Sequence, residues 1–209
     1  MRRRPPNDAG HAGRPVPIVK FFSGNELVRL TGADHFVLAL NRMMRRHGQG
    51  GLIGQTHVRM DSVPDLARLE ESAQRLAKAY PLLDAEVRRN PFTLRAAWRA
   101  GRGTIRNLPV NVWFEKGTRV PEGCRAVEIS SESDWVGHVL NQPLGFRDGL
   151  RNLHIDLILL RGGGAVLTLT WAHLLFDGKG AELFLDALVN PPPVGPAPPP
   201  ALPASPPKA

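Results

Sequence analysis

The stretch LTLTWAHLLFDGKGAELFL, Leu167–Leu185, opens as an apolar strand-like run and ends with the apolar spacing of an amphipathic helix. At the join stand His173, Asp177 and Gly178, set among Trp171, Leu174, Leu175 and Phe176. A histidine at a strand end lies at the rim of a sheet, where it can face a cleft. Imidazole titrates near neutrality, which suits it to general-base work on a hydroxyl or amine. The same histidine also reads as a structural residue, because one side chain is a weak signal. Asp177 either faces His173, or pairs with an arginine to hold the loop, or caps the helix that follows. Gly178 permits a tight turn into that helix, whose first amides then lie near the site. A metal reading has two ligands, His173 and Asp177, and no third at a recognisable spacing. A Ser-His-Asp triad lacks its GxSxG elbow.

Working outward, LRNLHIDLILLRGGGAVLTLTWAH reads as a hairpin turning at Gly162, Gly163 and Gly164. DGKGAELFLDALV closes the domain as a helix. In SVPDLARLEESAQRLAKAYP, Leu66, Leu69, Ala73, Leu76 and Ala77 form one helical face, with Ser62 as the expected cap, Pro64 early and Pro81 as the stop. GADHFVLALNRMMRRHG is a second helix, its apolar residues Phe36, Val37, Leu40, Met43 and Met44 at helical spacing and Arg42, Arg45 and Arg46 near its C-terminus. A short third helix is expected in ESDWVGHVLN, capped by Ser131 or Ser133. Strands are expected at Val16–Phe22, in GLIGQTHVRM, and at Leu83–Val87, Thr93–Trp98, Val110–Glu115 and Arg125–Ile129. This order is neither strict βαβ alternation nor pure β. It predicts the α/β class, with a mixed β-sheet packed against helices. No GxGxxG or GxxxxGK run argues for a Rossmann or P-loop protein.

Composition sets the limits of the domain. Of the 20 prolines, half follow Asn190, and such a segment has nothing from which to build a core. Residues 1–15 therefore read as a disordered basic arm, 16–189 as the folded domain and 190–209 as a disordered Pro-rich tail. The N-terminal arm lacks the apolar run of a secretory signal, and no segment approaches the roughly 20 apolar residues of a membrane span. The single cysteine, Cys124, excludes an intrachain disulfide and fits a reducing, cytoplasmic location. The net charge of +8 is either a solvated basic surface or a steering field for an anionic partner. No helix-turn-helix, zinc-finger or RNP-like pattern supports nucleic acid, and one tyrosine is little for stacking.

The segment TWAHLLFDGKGAELFLDAL, Thr170–Leu188, resembles the HHxxxDG segment of nonribosomal peptide synthetase condensation domains and their chloramphenicol-acetyltransferase-like relatives. LARLEESAQRLAKAYPLLDAEV resembles the early helix and following strand of that family. QPLGFRDGLRNLHIDLILLRGGGAVLTLTWAH resembles its approach through a hairpin to the motif. The likeness runs from about Gly32 to Leu188 and is specific around His173. It implies an α/β two-layer sandwich, a chloramphenicol-acetyltransferase-like lobe, and acyl transfer from a thioester to an amine or hydroxyl. His173 would be the general base, Asp177 a structural residue fixing the loop, and Gly178 the space beside the thioester arm. Trp171 and His154 are the expected cleft-lining residues. No tightly bound cofactor is implied; the thioester of coenzyme A or of a carrier's phosphopantetheine would be a co-substrate.

Three departures accompany the likeness. Ala172 replaces the first histidine. Asp84 stands where the arginine partner of Asp177 is usual, leaving Arg88 or Arg151 as substitutes. Only the first of two lobes is present, which implies a homotrimer with shared sites or a separate second-lobe chain, with an acidic carrier protein as a further partner. The competing readings are a non-catalytic half that binds a partner chain, and an adaptor working through its basic and Pro-rich tails.

Overall fold

The computed structural model describes residues 27–49, 51–89, 96–99, 108–130, 135, 137, 139, 144 and 151–191, all within one compact unit, Phe21–Pro193. Of residues 27–29, 81, 84, 88, 89 and 96–99, only the backbone is described. The expected strand at Val16–Phe22, the basic arm, the tail beyond Pro191 and the caps Ser131 and Ser133 lie outside the described residues.

The elements run β1 (Leu27–Arg29), α1 (Gly32–Arg46), β2 (Ile53–Met60), α2 (Leu66–Ala79), a 3-10 turn (Pro81–Asp84), β3 (Glu86–Arg89), β4 (Ala96–Arg99), β5 (Val110–Glu115), β6 (Ala126–Ile129), β7 (Leu153–Leu159), β8 (Ala165–Ala172) and α3 (Gly178–Val189). Trp135, Gly137 and Val139 are helical, within the short helix expected there. The main sheet has the order β2-β8-β7-β5-β6, and a small antiparallel sheet has the order β1-β4-β3. In the main sheet, β8 pairs antiparallel with β2 and β7, while β5 pairs parallel with β7 and β6. The sheet is open and mixed, as the element order predicted.

The hairpin forms as read, its turn carried by Gly163 and Gly164 at φ of +89° and +78°. Gly164 has a second constraint, since a Cβ there would lie 2.5 Å from the Met60 carbonyl oxygen. Successive residues of β7 and β8 face opposite sides of the sheet. On one side Ile155, Leu157, Leu167, Leu169 and Trp171 pack against Leu69, Ala73 and Leu76 of α2 and Ala181, Phe184 and Leu188 of α3. On the other side Ile158, Val166 and Ile129 pack beneath Trp135 and Val139. Both sides are covered, so every residue of β8 is buried, including its threonines. Those hydroxyls are satisfied across the sheet: Gln55 Nε2 donates to Thr170 Oγ1 at 2.8 Å, and His57 Nδ1 lies 2.8 Å from Thr168 Oγ1.

Three expectations need correction, the first being the strand at Leu83–Val87: Leu83 and Asp84 lie in the 3-10 turn, and β3 begins at Glu86. The cap of α2 is Asp65 rather than Ser62, its carboxylate accepting from the backbone N–H groups of Ala67 and Arg68. Pro64 keeps the residue before it out of helical conformation, so the helix begins only after the proline. Helix α1 has the expected bounds and a capping box from Thr31 and Asp34, but none of its 15 residues is buried. Phe36 is 68 % and Met43 51 % exposed. Val37 and Leu38 reach Leu174 and Ala85, and Arg45 Nη2 donates to the Leu144 carbonyl at 2.7 Å.

Candidate functional site

His173 is the first residue beyond β8, half-buried, in the turn between that strand and α3. Its backbone N–H donates to the Leu52 carbonyl at 3.1 Å, carrying the β2–β8 ladder one step past the last paired residues. Leu52 is itself anchored, because its N–H donates to Asn41 Oδ1 of α1 at 2.8 Å. Leu174 is buried against Ala85, with Val37, Leu38 and Leu82 packed around them. The histidine is thus fixed from both sides while its ring nitrogens make no hydrogen bond among the described residues. Such a ring is open to accept a proton from an incoming group.

The remainder of the turn is fastened by Trp171. Its indole Nε1 donates to the Phe176 carbonyl at 2.8 Å, and its ring lies 5.6 Å from Phe176, which stacks in turn 5.9 Å from Phe184. The indole lies directly over Gly54 on β2, where a Cβ would come within 2.3 Å of Cζ2. An isolated glycine inside a strand is the one sequence signal that marks such a close approach. A second glycine, Gly180, lets the chain pass Phe176, whose Cβ would be 2.6 Å from a Cβ at that position. Leu175 N–H donates to the Ala172 carbonyl at 2.8 Å and tightens the turn.

Asp177 is exposed and is the N-cap of α3, with Oδ1 accepting from Gly180 N–H at 2.8 Å. No cation pairs with it among the described residues. Arg151 is exposed and makes no such contact, and Asp84 and Arg88 have side chains outside the described set. Gly178 has open space around it. Trp171, expected at a cleft wall, is 3 % exposed and sits on the helix-covered side of the sheet. His154 lies on the opposite side, half-buried and directly across from Thr170. The site therefore gathers His173, Asp177 and Gly178 on one turn, with Trp171 beneath it and His154 on the other face.

Sequence reasoning passed over three residues that hold this turn. Asn152, 4 % exposed, donates from Nδ2 to the Leu83 and Ala85 carbonyls, and its own carbonyl accepts from Ala172 N–H. Asn41 and Gly54 are the others. Cys124 has Sγ 3.1 Å from the Pro121 carbonyl oxygen. His57 stands in an edge-to-face arrangement 5.4 Å from Trp135, and desolvation lowers its pKa below the usual 6.5. Among the described residues no group of three His, Cys, Asp or Glu is placed to hold a metal, and no helix is long and apolar enough to cross a membrane.

No family model matches the chain, and no curated protein matches it. Solved structures do. The chain is similar to the first condensation domain of the calcium-dependent antibiotic synthetase, solved with a substrate analogue, at TM-score 0.60 and 19 % identity over 78 % of this chain and 36 % of that one. A mutant of the starter condensation domain of rhizomide synthetase, in complex with C8-CoA, matches at TM-score 0.59 and 11 % identity, over 78 % and 34 %. The complex of the X-domain and OxyB from teicoplanin biosynthesis matches at TM-score 0.55 and 17 % identity, over 86 % and 35 %. The fold is that of a condensation-domain-like lobe, the first lobe only, and the chain spans about a third of each of these chains.

Proposed function

We propose that this condensation-domain-like lobe serves acyl transfer from a thioester to a hydroxyl or amine, with His173 as the general base. The acceptor heteroatom attacks the thioester carbonyl carbon while a ring nitrogen of His173 takes its proton. The C–S bond then breaks, and the departing thiolate receives that proton. One new bond to carbon replaces the C–S bond, and no electrons change hands. The observation that carries this reading is the fixed backbone and open ring of His173 at the end of β8. Asp177 and Gly180 hold the turn by capping α3, so they position the histidine without touching the reacting atoms. Coenzyme A and a carrier-bound phosphopantetheine are the donor classes that fit, and an acidic carrier suits a chain of net charge +8.

A lone lobe leaves His173 beside solvent on one side, where hydrolysis competes with transfer. Further protein on that side, such as two more copies in a closed trimer or a second lobe, would complete the site. A second reading, a non-catalytic half that only binds such a partner, is favoured by Asp84 at the position where the resembling family usually has an arginine. Light scattering after size exclusion gives the mass. A trimer is then tested directly with acetyl- and longer acyl-CoA donors by thiol release, and a monomer is tested after mixing with a candidate second lobe. The transferase reading expects thiol release that depends on acceptor and is lost in His173→Ala, with an unchanged thermal melt. Full activity in that variant removes the mechanism.

A further inference from the structure

Helix α1 carries its polarity the wrong way round for a surface helix. Two of its polar residues hold it to the body: Asn41 Oδ1 accepts from Leu52 N–H, and Arg45 Nη2 donates to the Leu144 carbonyl. Phe36 and Met43, seven residues apart and so on one side of the helix, stand in solvent on the opposite side. Beside them runs a second exposed line, His35, Arg42 and Arg46. Asp34, the one acidic residue of the helix, faces away from this strip. Its Oδ2 is spent on Thr31, accepting from the backbone N–H at 2.7 Å and from the hydroxyl at 2.9 Å. The sequence ahead of the helix, residues 1–31, adds six basic residues against two acidic ones.

Packing within the lobe gives no reason for a phenylalanine and a methionine on the outermost line of a helix. Such a strip marks an interaction surface, and its cationic flank selects an anionic one. A protein groove that receives a helix takes anchors at i, i+3, i+4 and i+7. Counted from Phe36 these are Ala39, which is small, Leu40, which is already half-buried, and Met43. Two anchors are little for a groove, whereas a flat and yielding surface needs only the outermost strip. Phenylalanine at the headgroup–acyl boundary with arginine among the phosphates is the arrangement of a helix lying on a bilayer. We propose that α1 lies on an anionic lipid membrane, with Phe36 and Met43 entering the headgroup–acyl boundary and Arg42 and Arg46 meeting lipid phosphates. The helix rests on the surface and does not cross it. The basic residues of 1–31 strengthen the attraction, and the strip sets the orientation. The proposal is independent of the transfer reading and would stand if that reading failed.

The test floats the full chain with vesicles of phosphatidylcholine, alone or with about 30 mol % phosphatidylglycerol. Partition is expected to be at least tenfold stronger with phosphatidylglycerol. Arg46→Gln should weaken it about fivefold. The double variant Phe36→Gln, Met43→Gln should weaken it at least tenfold with an unchanged thermal melt, both positions being exposed. The four methionines report the orientation, once their methyl groups are ¹³C-labelled and the chain is mixed with anionic bicelles carrying a nitroxide lipid. Met43 should broaden strongly, while its half-buried neighbour Met44 and the remote Met60 should not. Equal partition of the double variant, or broadening of Met1 alone, would give the binding to the basic arm and overturn the proposal. So would equal partition onto phosphatidylcholine, or no binding to either vesicle, which would leave the strip to a protein partner. A dimer in light scattering that is lost in the double variant would assign the strip to a second copy and overturn it as well.

Discussion

Replacing Gly54 by alanine should invert the usual sign of that change. Alanine in a strand interior is ordinarily favoured over glycine by about 0.5–1 kcal/mol, through the entropy of the unfolded chain. Nothing in the backbone of Gly54 opposes it, because its φ is not among the positive ones. The opposition comes from Trp171 alone, whose Cζ2 and Cε2 would lie 2.3 and 2.4 Å from the new methyl carbon. The indole has nowhere to retreat, being 3 % exposed and tied to the Phe176 carbonyl. Overpacking of this kind costs about 1–3 kcal/mol, and breaking the buried indole hydrogen bond adds about 1–3 kcal/mol more. Gly54→Ala should therefore lose about 1–5 kcal/mol after the entropic gain is set against these. Urea unfolding followed by far-UV circular dichroism measures the loss. The cycle with Trp171→Leu isolates the cause, since Gly54→Ala in that background should cost under about 0.5 kcal/mol. If Gly54→Ala alone is as stable as the parent, Trp171 does not rest on β2 and the account of the turn fails.

Other changes test its remaining supports. Asp177→Ala should lower stability by about 0.5–2 kcal/mol through loss of the cap, while Asp177→Asn should lose only a few tenths because asparagine caps as well. An ion-pair role would make both variants equally poor in a thermal melt. Asn152→Leu strips the donors from the Leu83 and Ala85 carbonyls and should cost about 2–5 kcal/mol in urea unfolding. His57 has a folded pKa below its unfolded value of 6.5, so between the two the unfolded chain binds more protons. Stability should fall as the pH drops through about 6.5 and level off below the folded pKa, and His57→Gln should flatten that slope in unfolding midpoints taken from pH 5 to 8.

What could be read from the sequence followed from how local its cause was. The β7–β8 hairpin was legible because three glycines sit between two apolar runs, and α3 because Asp177 and Gly178 precede a clean helical face. The cap of α2 was misread between two good capping residues, Ser62 and Asp65, and only the proline between them decides. β1 was not anticipated: three residues carry no periodicity, and its extended form comes from pairing with β4, far along the chain. The exposure of α1 was hidden for a different reason, since an amphipathic pattern says that a helix has an apolar side but not what covers it. At the site, His173 and Asp177 were legible as a motif. Their supports were not, because Asn41, Asn152 and Trp171 act through contacts with residues remote in sequence. Only Gly54 left a trace, as a lone glycine within a strand.

The pairing that fixes His173 also sets when in folding the site can exist. β7 and β8 meet across a five-residue turn, but Gln55 of β2 and its partner Thr170 are 115 positions apart. Closing so long a loop costs roughly 3 kcal/mol more than closing the hairpin, by the logarithmic growth of loop entropy. The hairpin is therefore the early element and β2 docks onto it late, bringing Leu52 and Gly54 with it. Until that step the histidine has no anchor for its backbone N–H and the indole beneath it has no floor. Chains slowed in β2 docking would accumulate with a formed sheet centre and an unformed site, so the appearance of a competent His173 should lag the appearance of strand structure.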